Sequence, residues 1–445
     1  MACYSDRHSN LSIGCSFEKL EPQEQQFVVR VTYLLKGAMQ IVRRLQRLAG
    51  IFLLVILALS VYWSLRLAVA DWLGRSNSER RILRAINLSP EDAALRALRA
   101  LPGSSERVQA LKDALTLNHY WSEGWVELGL QYELSGKIHS AEYCLSKAAE
   151  VDKTYLPRWT LANYYFRRQD WPKFWIWAKR TSEMAYRDQS ALFDLCWRAT
   201  QDPEVVLTQG IVPNKKLLAQ YVSFLLRTGR LEAAPTAAQK LLALASAEEL
   251  PPLLACCDNL LAAGRFSKAE QIWDGLAQRR LIPYPPLQPQ TGQSLTNGDF
   301  RAVPLSHGFD WRLTPPTGVL LARADAPRSL RITFTGDQPE RFTLLWQLVP
   351  LLPSSPYELT TCYRIDGAPA KAGLYWQVAD ALTSSRILAA SGDLASAGWA
   401  HKILRFQTTP TTQGACLRLV YSRPPGTVRI EGSLYLAQVR LRLVK

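Results

Sequence analysis

Histidine and cysteine are scarce in this chain, five and eight in 445 residues. The cysteines (Cys3, Cys15, Cys144, Cys196, Cys256, Cys257, Cys362, Cys416) contain no C-x-x-C pair and are too sparse for a disulfide scaffold. The histidines (His8, His119, His139, His307, His401) contain no H-E-x-x-H and no i, i+4 pair to clamp a metal from one helix face. Both absences argue against a zinc site and a metal-dependent enzyme. Also missing are a G-x-S-x-G elbow, a P-loop and a paired carboxylate constellation in one strand register. No catalytic or cofactor-binding residue is therefore predicted, and the chain is read as a non-enzyme. Long apolar runs are lacking too, with one exception, which rules out a polytopic membrane protein.

What is present is ordinary in bulk: 48% hydrophobic and 20% charged residues, near globular averages. A prior of roughly 150 residues per domain gives about three units. Fifty-three Lys and Arg against 38 Asp and Glu leave a net charge of +15, compatible with nucleic acid, anionic lipid or plain solubility.

The exceptional run is LAGIFLLVILALSVYWSL, residues 48–65, without a charge. At ~1.5 Å per residue it covers roughly 27 Å, close to the ~30 Å hydrocarbon core. Residues 48–70 are read as a single transmembrane helix, with Arg66 snorkelling to the headgroups and Trp63 and Trp72 at an interface. Lys36, Arg43, Arg44 and Arg47 precede it, whereas Arg66 and Arg75 with Asp71 between them follow. The positive-inside bias places residues 1–47 in the cytoplasm and everything after the span outside, in a bacterial periplasm. Two other readings stay open: a signal peptide cleaved after Ala68-x-Ala70, with Met39 as the start, and a buried helix of a soluble protein.

Residues 76–282 carry successive amphipathic helical patterns with an internal period. In SEGWVELGLQYELSGKIHSAEYCLSKAAEVD, Trp125, Leu128 and Tyr132 line one helix face, small Gly129 and Ala141 admit an antiparallel second helix, and Ala148 packs toward the next unit. Trp159 repeats Trp125 after 34 residues, with Phe166 at the place of Tyr132, Asn163 at that of Gly129, Asp170 at that of Gly136, and Trp175 intruding at that of Ala141. TGRLEAA at Gly229 and AGRFSKAE at Gly264 mark further units, and an initial degenerate one begins near Ser89. These residues and their spacing resemble the tetratricopeptide repeat. The resemblance implies about five stacked helical hairpins whose concave face binds protein partners. Trp159, Trp171, Trp175, Trp177 and Trp197 are predicted mainly as core. Arg167, Arg168, Lys173, Lys179 and Arg180 interleave with them, but the spacing and location argue against nucleic acid.

Pro283, Pro285, Pro286 and Pro289 end the array, so residues 283–293 are read as an extended Pro-rich linker. Residues 294–445 then alternate with period two: Leu330, Ile332, Phe334; Phe342, Leu344, Trp346, Leu348; Tyr357, Leu359, Thr361, Tyr363, Ile365; Leu374, Trp376, Val378; Leu417, Leu419, Tyr421. Eight to ten antiparallel strands in a two-sheet sandwich are predicted. The opening LTNGDFRAVPLSHGFDWRL, with Asn297, Gly298, Asp299, Phe300 and Trp311, and the closing GSLYLAQVRLRLV resemble the galactose-binding-like jelly rolls of many carbohydrate-binding modules. That resemblance implies a structural calcium between first and last strands. Ala437 and Gln438 stand in the closing strand where acidic ligands belong, leaving Asp299 as the lone metal candidate, so no cofactor is predicted.

Strand phase puts Trp346 and Trp376 in the core and Tyr375, Gln377, Glu358, Arg364 and Arg418 on the outer faces, either as a polysaccharide-contacting surface or as an ordinary solvated one. Cys362 and Cys416 share that outward phase and would pair if their strands were neighbours. Together these readings predict a membrane-anchored extracytoplasmic scaffold with a lectin-like sandwich, serving surface polysaccharide assembly or export. The alternatives are a carbohydrate-binding module on a helical spacer and a glycan-active enzyme. The basic residues at 36–47 serve topology, and the remaining charge is dispersed.

Overall fold

The computed structural model describes residues 22–76, 78–100, 105–184, 188–325, 328–367, 371–383 and 385–444. Residues 1–21 of the segment predicted as cytoplasmic lie outside them. The chain divides into two compact units, Met1–Asp152 and Lys153–Lys445.

The first unit opens with one unbroken helix, α1 (Pro22–Gly74), of 53 residues. Its most apolar stretch has a mean hydropathy of 2.4 and no buried residue, so it is long and apolar enough to cross a membrane. Its last turns are packed on protein. Ala70 is buried with Ala85 of α2 (Glu79–Leu88) and Leu95 of α3 (Ala93–Ala97). Arg66 Nε donates to Leu88 O at 2.7 Å and its guanidinium lies 4.7 Å from the Trp63 ring. The residue predicted to reach headgroups thus ties α1 to α2, because a free carbonyl at a helix end is a nearer acceptor.

Helices α4 (Ser105–Leu117), α5 (Ser122–Leu134) and α6 (Ile138–Val151) follow. Leu128, Gly129, Ala141 and Ala148 are buried as the repeat pattern requires. A Cβ on Gly129 would stand 2.7 Å from Leu145, so glycine sets the close approach of α5 and α6. The sequence reading missed Arg107. It is buried, donates to the carbonyls of Ala97 and Ala100, and forks onto Glu127 at 2.6 and 2.7 Å, joining α3, α4 and α5.

The second unit continues the hairpins: α7 (Tyr155–Arg168), α8 (Trp171–Ser182), α9 (Ser190–Thr200), α10 (Pro203–Val205) with a π-helical turn to Gly210, α11 (Lys215–Arg227), α12 (Ala234–Leu244), α13 (Leu250–Ala262) and α14 (Phe266–Gln278). One loop closure recurs. The residue after a left-handed position donates back to the preceding helix: Lys137 N to Tyr132 O, Asp170 N to Tyr165 O, Arg230 N to Leu225 O and Arg265 N to Leu260 O. The left-handed residues are Gly136, Gln169, Gly229 and Gly264. From Gly136 to Gln169 the step is 33 residues, one fewer than the 34 predicted. Hence Ala162 stands for Gly129, Phe174 for Ala141 and Thr181 for Ala148, all three buried. Trp175 is not the intruder, and Trp159 sits one position past the equivalent of Trp125. Trp159, Trp175, Trp177 and Trp197 are only half-buried and Trp171 is exposed, which corrects their reading as core. Leu161, Tyr164, Tyr165, Phe174 and Phe193 fill those interiors. Arginines cap two of the indoles, Arg180 on Trp177 and Arg230 on Trp197.

The sandwich has two five-stranded antiparallel sheets. One has the order β1 (Arg312–Leu313), β4 (Arg341–Pro350), β9 (Gly414–Ser422), β6 (Leu374–Asp380), β7 (Ile387–Ala390). The other has β2 (Val319–Asp325), β3 (Arg328–Thr335), β10 (Glu431–Leu443), β5 (Pro356–Asp366), β8 (Ala400–Gln407). The alternating residues predicted for β3, β5, β6 and β9 are buried between the sheets with Trp311 and Trp376. In β4 the phase differs. A register shift between Thr343 and Leu345 turns Leu345, Gln347 and Val349 inward and Trp346 and Leu348 outward, so Trp346 is not core. Gln347 is buried and donates to Thr296 and Phe309 O.

The Pro-rich segment is a packed strap. Ile282, Tyr284 and Leu287 are buried, Tyr284 stacks on Trp273 of α14 at 6.0 Å, and Leu287 N donates to Asp274 at 2.7 Å. Proline removes backbone donors and fixes φ, which suits an extended strap held by side chains.

Candidate functional site

The carboxylate of Asp258 ties helix α13 to the sandwich. Asp258 Oδ1 accepts from Gly308 N and Arg312 Nη2, both at 2.7 Å, and Oδ2 lies 2.5 Å from His307 Nδ1. Trp273 and Phe266 pack on Phe309 beside it. Beneath, Asp310 is fully buried and accepts from Tyr284 Oη at 2.6 Å, Leu305 N and Trp311 N. Burial pushes its carboxyl above the usual range, against the pull of those hydrogen bonds.

This docking leaves a cleft of about 570 Å³ between α13 and the outer face of the β1-β4-β9-β6-β7 sheet. Asp258, Leu261 and Ala262 form its wall, and Arg312, Trp346, Leu348, Cys416 and Arg418 its floor. The floor has an order given by strand register. Arg312 faces Trp346, Trp346 faces Arg418, and Arg418 faces Gln377, one rung across four strands. The Arg312 guanidinium lies 4.5 Å from the Trp346 ring. Tyr375 stands two residues along β6, opposite Val420 and half-buried.

Of the residues predicted for a glycan surface, Tyr375, Gln377 and Arg418 share this face. Glu358 and Arg364 do not, because β5 belongs to the other sheet and points them to the opposite side of the sandwich. There Glu358 accepts from Arg405 at 2.9 Å and Arg442 at 2.5 Å, which hold its carboxyl below the usual range. Arg364 pairs with Asp366 at 2.8 Å and lies over Tyr435. Five residues sharing outward phase were read as one surface, but phase cannot tell which sheet a strand joins. The same reason overturns the predicted disulfide: Cys362 and Cys416 lie in different sheets and both are free thiols. The bulge hid Trp346, the aromatic the sequence reading lacked.

Asp299 accepts from Arg301 N at 3.3 Å and pairs with its side chain at 3.0 Å. The opening turn touches the closing strand where Val439 N donates to Gly298 O at 2.7 Å, and a Cβ on Gly298 would collide with Val439 O. No cluster of three His, Cys, Asp or Glu groups that could hold a metal occurs among the described residues.

In the first unit a second concavity of about 550 Å³ runs over α4, α5 and α6, lined by Lys112, Trp125, Tyr132, His139, Tyr143 and Cys144. Trp125 and Tyr132 are half-buried here, facing the groove as well as packing. Trp125 Nε1 donates to His119 O at 2.9 Å and its ring meets Tyr143 edge-on at 6.2 Å. Burial pushes the Cys144 thiol up to about 11.

No family model and no curated protein matches the chain. Among solved structures it is similar to a family 4 carbohydrate-binding module (11% identity, TM-score 0.28, 34% of this chain and 100% of that one). It is also similar to YrrB, a TPR protein with an unusual peptide-binding site (14%, 0.23, 46% and 94%). A cyclase from Fischerella sp. TAU is a third neighbour (15%, 0.23, 34% and 95%).

Proposed function

We propose that the chain is a membrane-anchored scaffold whose β-sandwich holds a saccharide in the cleft beside α13, while the groove over α4, α5 and α6 takes a segment of a partner protein. The Arg312–Trp346–Arg418–Gln377 rung carries this reading. An indole offers a flat apolar surface for the C–H face of a sugar, and guanidinium and amide groups beside it match ring hydroxyls. The exposed apolar length of α1 supports the anchor, and the basic residues before it support a cytoplasmic amino terminus with the rest outside. In that setting the activity is recognition in surface polysaccharide assembly or export, without catalysis. His307 is held by Asp258, yet among the described residues no Ser, Thr or Cys shares a hydrogen bond with it.

The test is an array of envelope polysaccharides probed with the full chain in lipid nanodiscs. Binding that weakens about tenfold in Trp346→Ala, at unchanged melting temperature, is the expected result. If the wild-type chain retains no saccharide, the reading fails. Crosslinking from Tyr143 in membranes is expected to capture an envelope protein that Trp125→Ala releases.

A further inference from the structure

The cleft holds a cation that the protein leaves unneutralised. Arg312 is fully engaged by Asp258, Gly308 O and the Trp346 ring. Asp258, the acidic group lining the cleft, has both oxygens occupied. Arg418, half-buried in the same rung, donates from Nε to Cys416 Sγ at 3.4 Å, and among the described residues it forms no other side-chain hydrogen bond and no ion pair. That sulfur is a weak acceptor. Burial pushes the Cys416 thiol up in pKa, so it stays neutral and does not balance the charge. A guanidinium has five donors in a planar fork, and partial burial without an anion carries a desolvation cost. The group that best matches the fork is a carboxylate, held by two parallel hydrogen bonds.

We propose that the cleft selects an acidic saccharide, a uronic-acid-type residue whose ring lies on Trp346 and whose carboxylate pairs with Arg418. This rests on the saccharide reading above. Two features converge on it: the aromatic platform and the free guanidinium are direct cross-strand neighbours, and the nearby Asp258 carboxylate is already occupied. A neutral sugar offers Arg418 hydroxyl acceptors without a counter-charge, whereas an acidic one supplies both.

Full-length protein in nanodiscs is titrated calorimetrically with four probes: oligogalacturonate, its methyl ester, the neutral galactose oligomer and a sulfated galactose oligomer. The acid is expected to bind about tenfold or more tightly than ester or neutral oligomer, with a preference that falls as salt rises. Arg418→Gln is expected to abolish that preference, so that acid, ester and neutral oligomer bind within about twofold of one another. Arg418→Lys, which keeps charge but loses the fork, is expected to fall between, and guards against a folding defect in the glutamine variant. Equal binding of acid and ester overturns the inference while the saccharide reading stands, and so does a preference that survives Arg418→Gln. Stronger binding of the sulfated oligomer than of oligogalacturonate overturns it as well. Failure of every oligomer to bind the folded wild-type protein removes both readings together.

Discussion

The two outer faces of the sandwich are built on the same rung and have opposite fates. On one, Arg312, Trp346 and Arg418 stand in a row across β1, β4 and β9. On the other, Arg331, Tyr435 and Arg364 stand in a row across β3, β10 and β5. The second face closes on itself: Arg364 is paired with Asp366, and Glu358 is held between Arg405 and Arg442. The first has a helix standing beside it, and its Arg418 forms no ion pair among the described residues. Two arginines around an aromatic ring therefore do not make a binding site. What distinguishes the faces is the counter-charge: Arg364 has Asp366 two residues along its own strand and exposed Arg331 bonds Ser433, whereas half-buried Arg418 has no carboxylate partner among the described residues.

The wall is the first place to break that comparison. Asp258→Ala removes one partly buried carboxylate from three partners, leaving Arg312 without its ion pair and Gly308 N without its acceptor. The expected loss is about 2–3 kcal/mol, read by denaturant unfolding of the second unit within the full chain. Glu358→Ala on the opposite face is expected to cost less, since Arg405 and Arg442 are largely exposed and rehydrate. Equal losses would mean that α13 contributes no more than a surface ion pair. Next in size are two indoles of the sandwich that arginines approach, Trp346 (by Arg312) and Trp399 (by Arg364). Trp346→Ala is expected to weaken saccharide binding about tenfold, the stacking energy of one ring, and Trp399→Ala by less than about twofold. Matching losses in a binding titration would erase the distinction between the faces.

Much of this arrangement was legible in the sequence. Period-two alternation located the inward residues of β3, β5, β6 and β9, and the glycine loops marked the hairpins. A register slip of one residue hid the rest twice. Gln169 adopts the left-handed turn conformation without being glycine, so the step was read as 34 and Phe174 was overlooked behind Trp175. A bulge in β4 carries no composition signal, so Trp346 was taken for core. Sheet membership was not legible either, because it depends on long-range pairing, and this is why Glu358 and Arg364 were grouped with Arg418. The strap was misread because its prolines announce extended backbone but not what Tyr284 and Leu287 pack against.

Acid separates the faces more gently. Glu358 has a lowered pKa in the folded chain, from its hydrogen bonds to Arg405 and Arg442. A depressed carboxyl contributes stability that is present above its unfolded value, about 4.3, and is lost as pH falls through the lower folded value. Glu358→Gln is therefore expected to flatten the acid limb of the stability curve below about pH 4.3 and leave neutral-pH saccharide binding unchanged. An unaltered acid limb in pH-dependent unfolding would show that the Arg442–Glu358–Arg405 rung contributes nothing to stability.

The smallest expected effect is chemical. Cys362 faces out on the closed side, half-buried and opposite His401. Cys416 faces out on the cleft side, buried beside Arg418. Because the sheets separate them, alkylation without reductant is expected to modify both in the unfolded chain. In the folded chain Cys362 should react first, since burial limits both access and thiolate formation at Cys416. An acidic oligosaccharide over Arg418 should slow Cys416 further and leave Cys362 untouched. Mass spectrometry that finds the two thiols linked, or equally protected by the ligand, would contradict the assignment of the two cysteines to opposite faces.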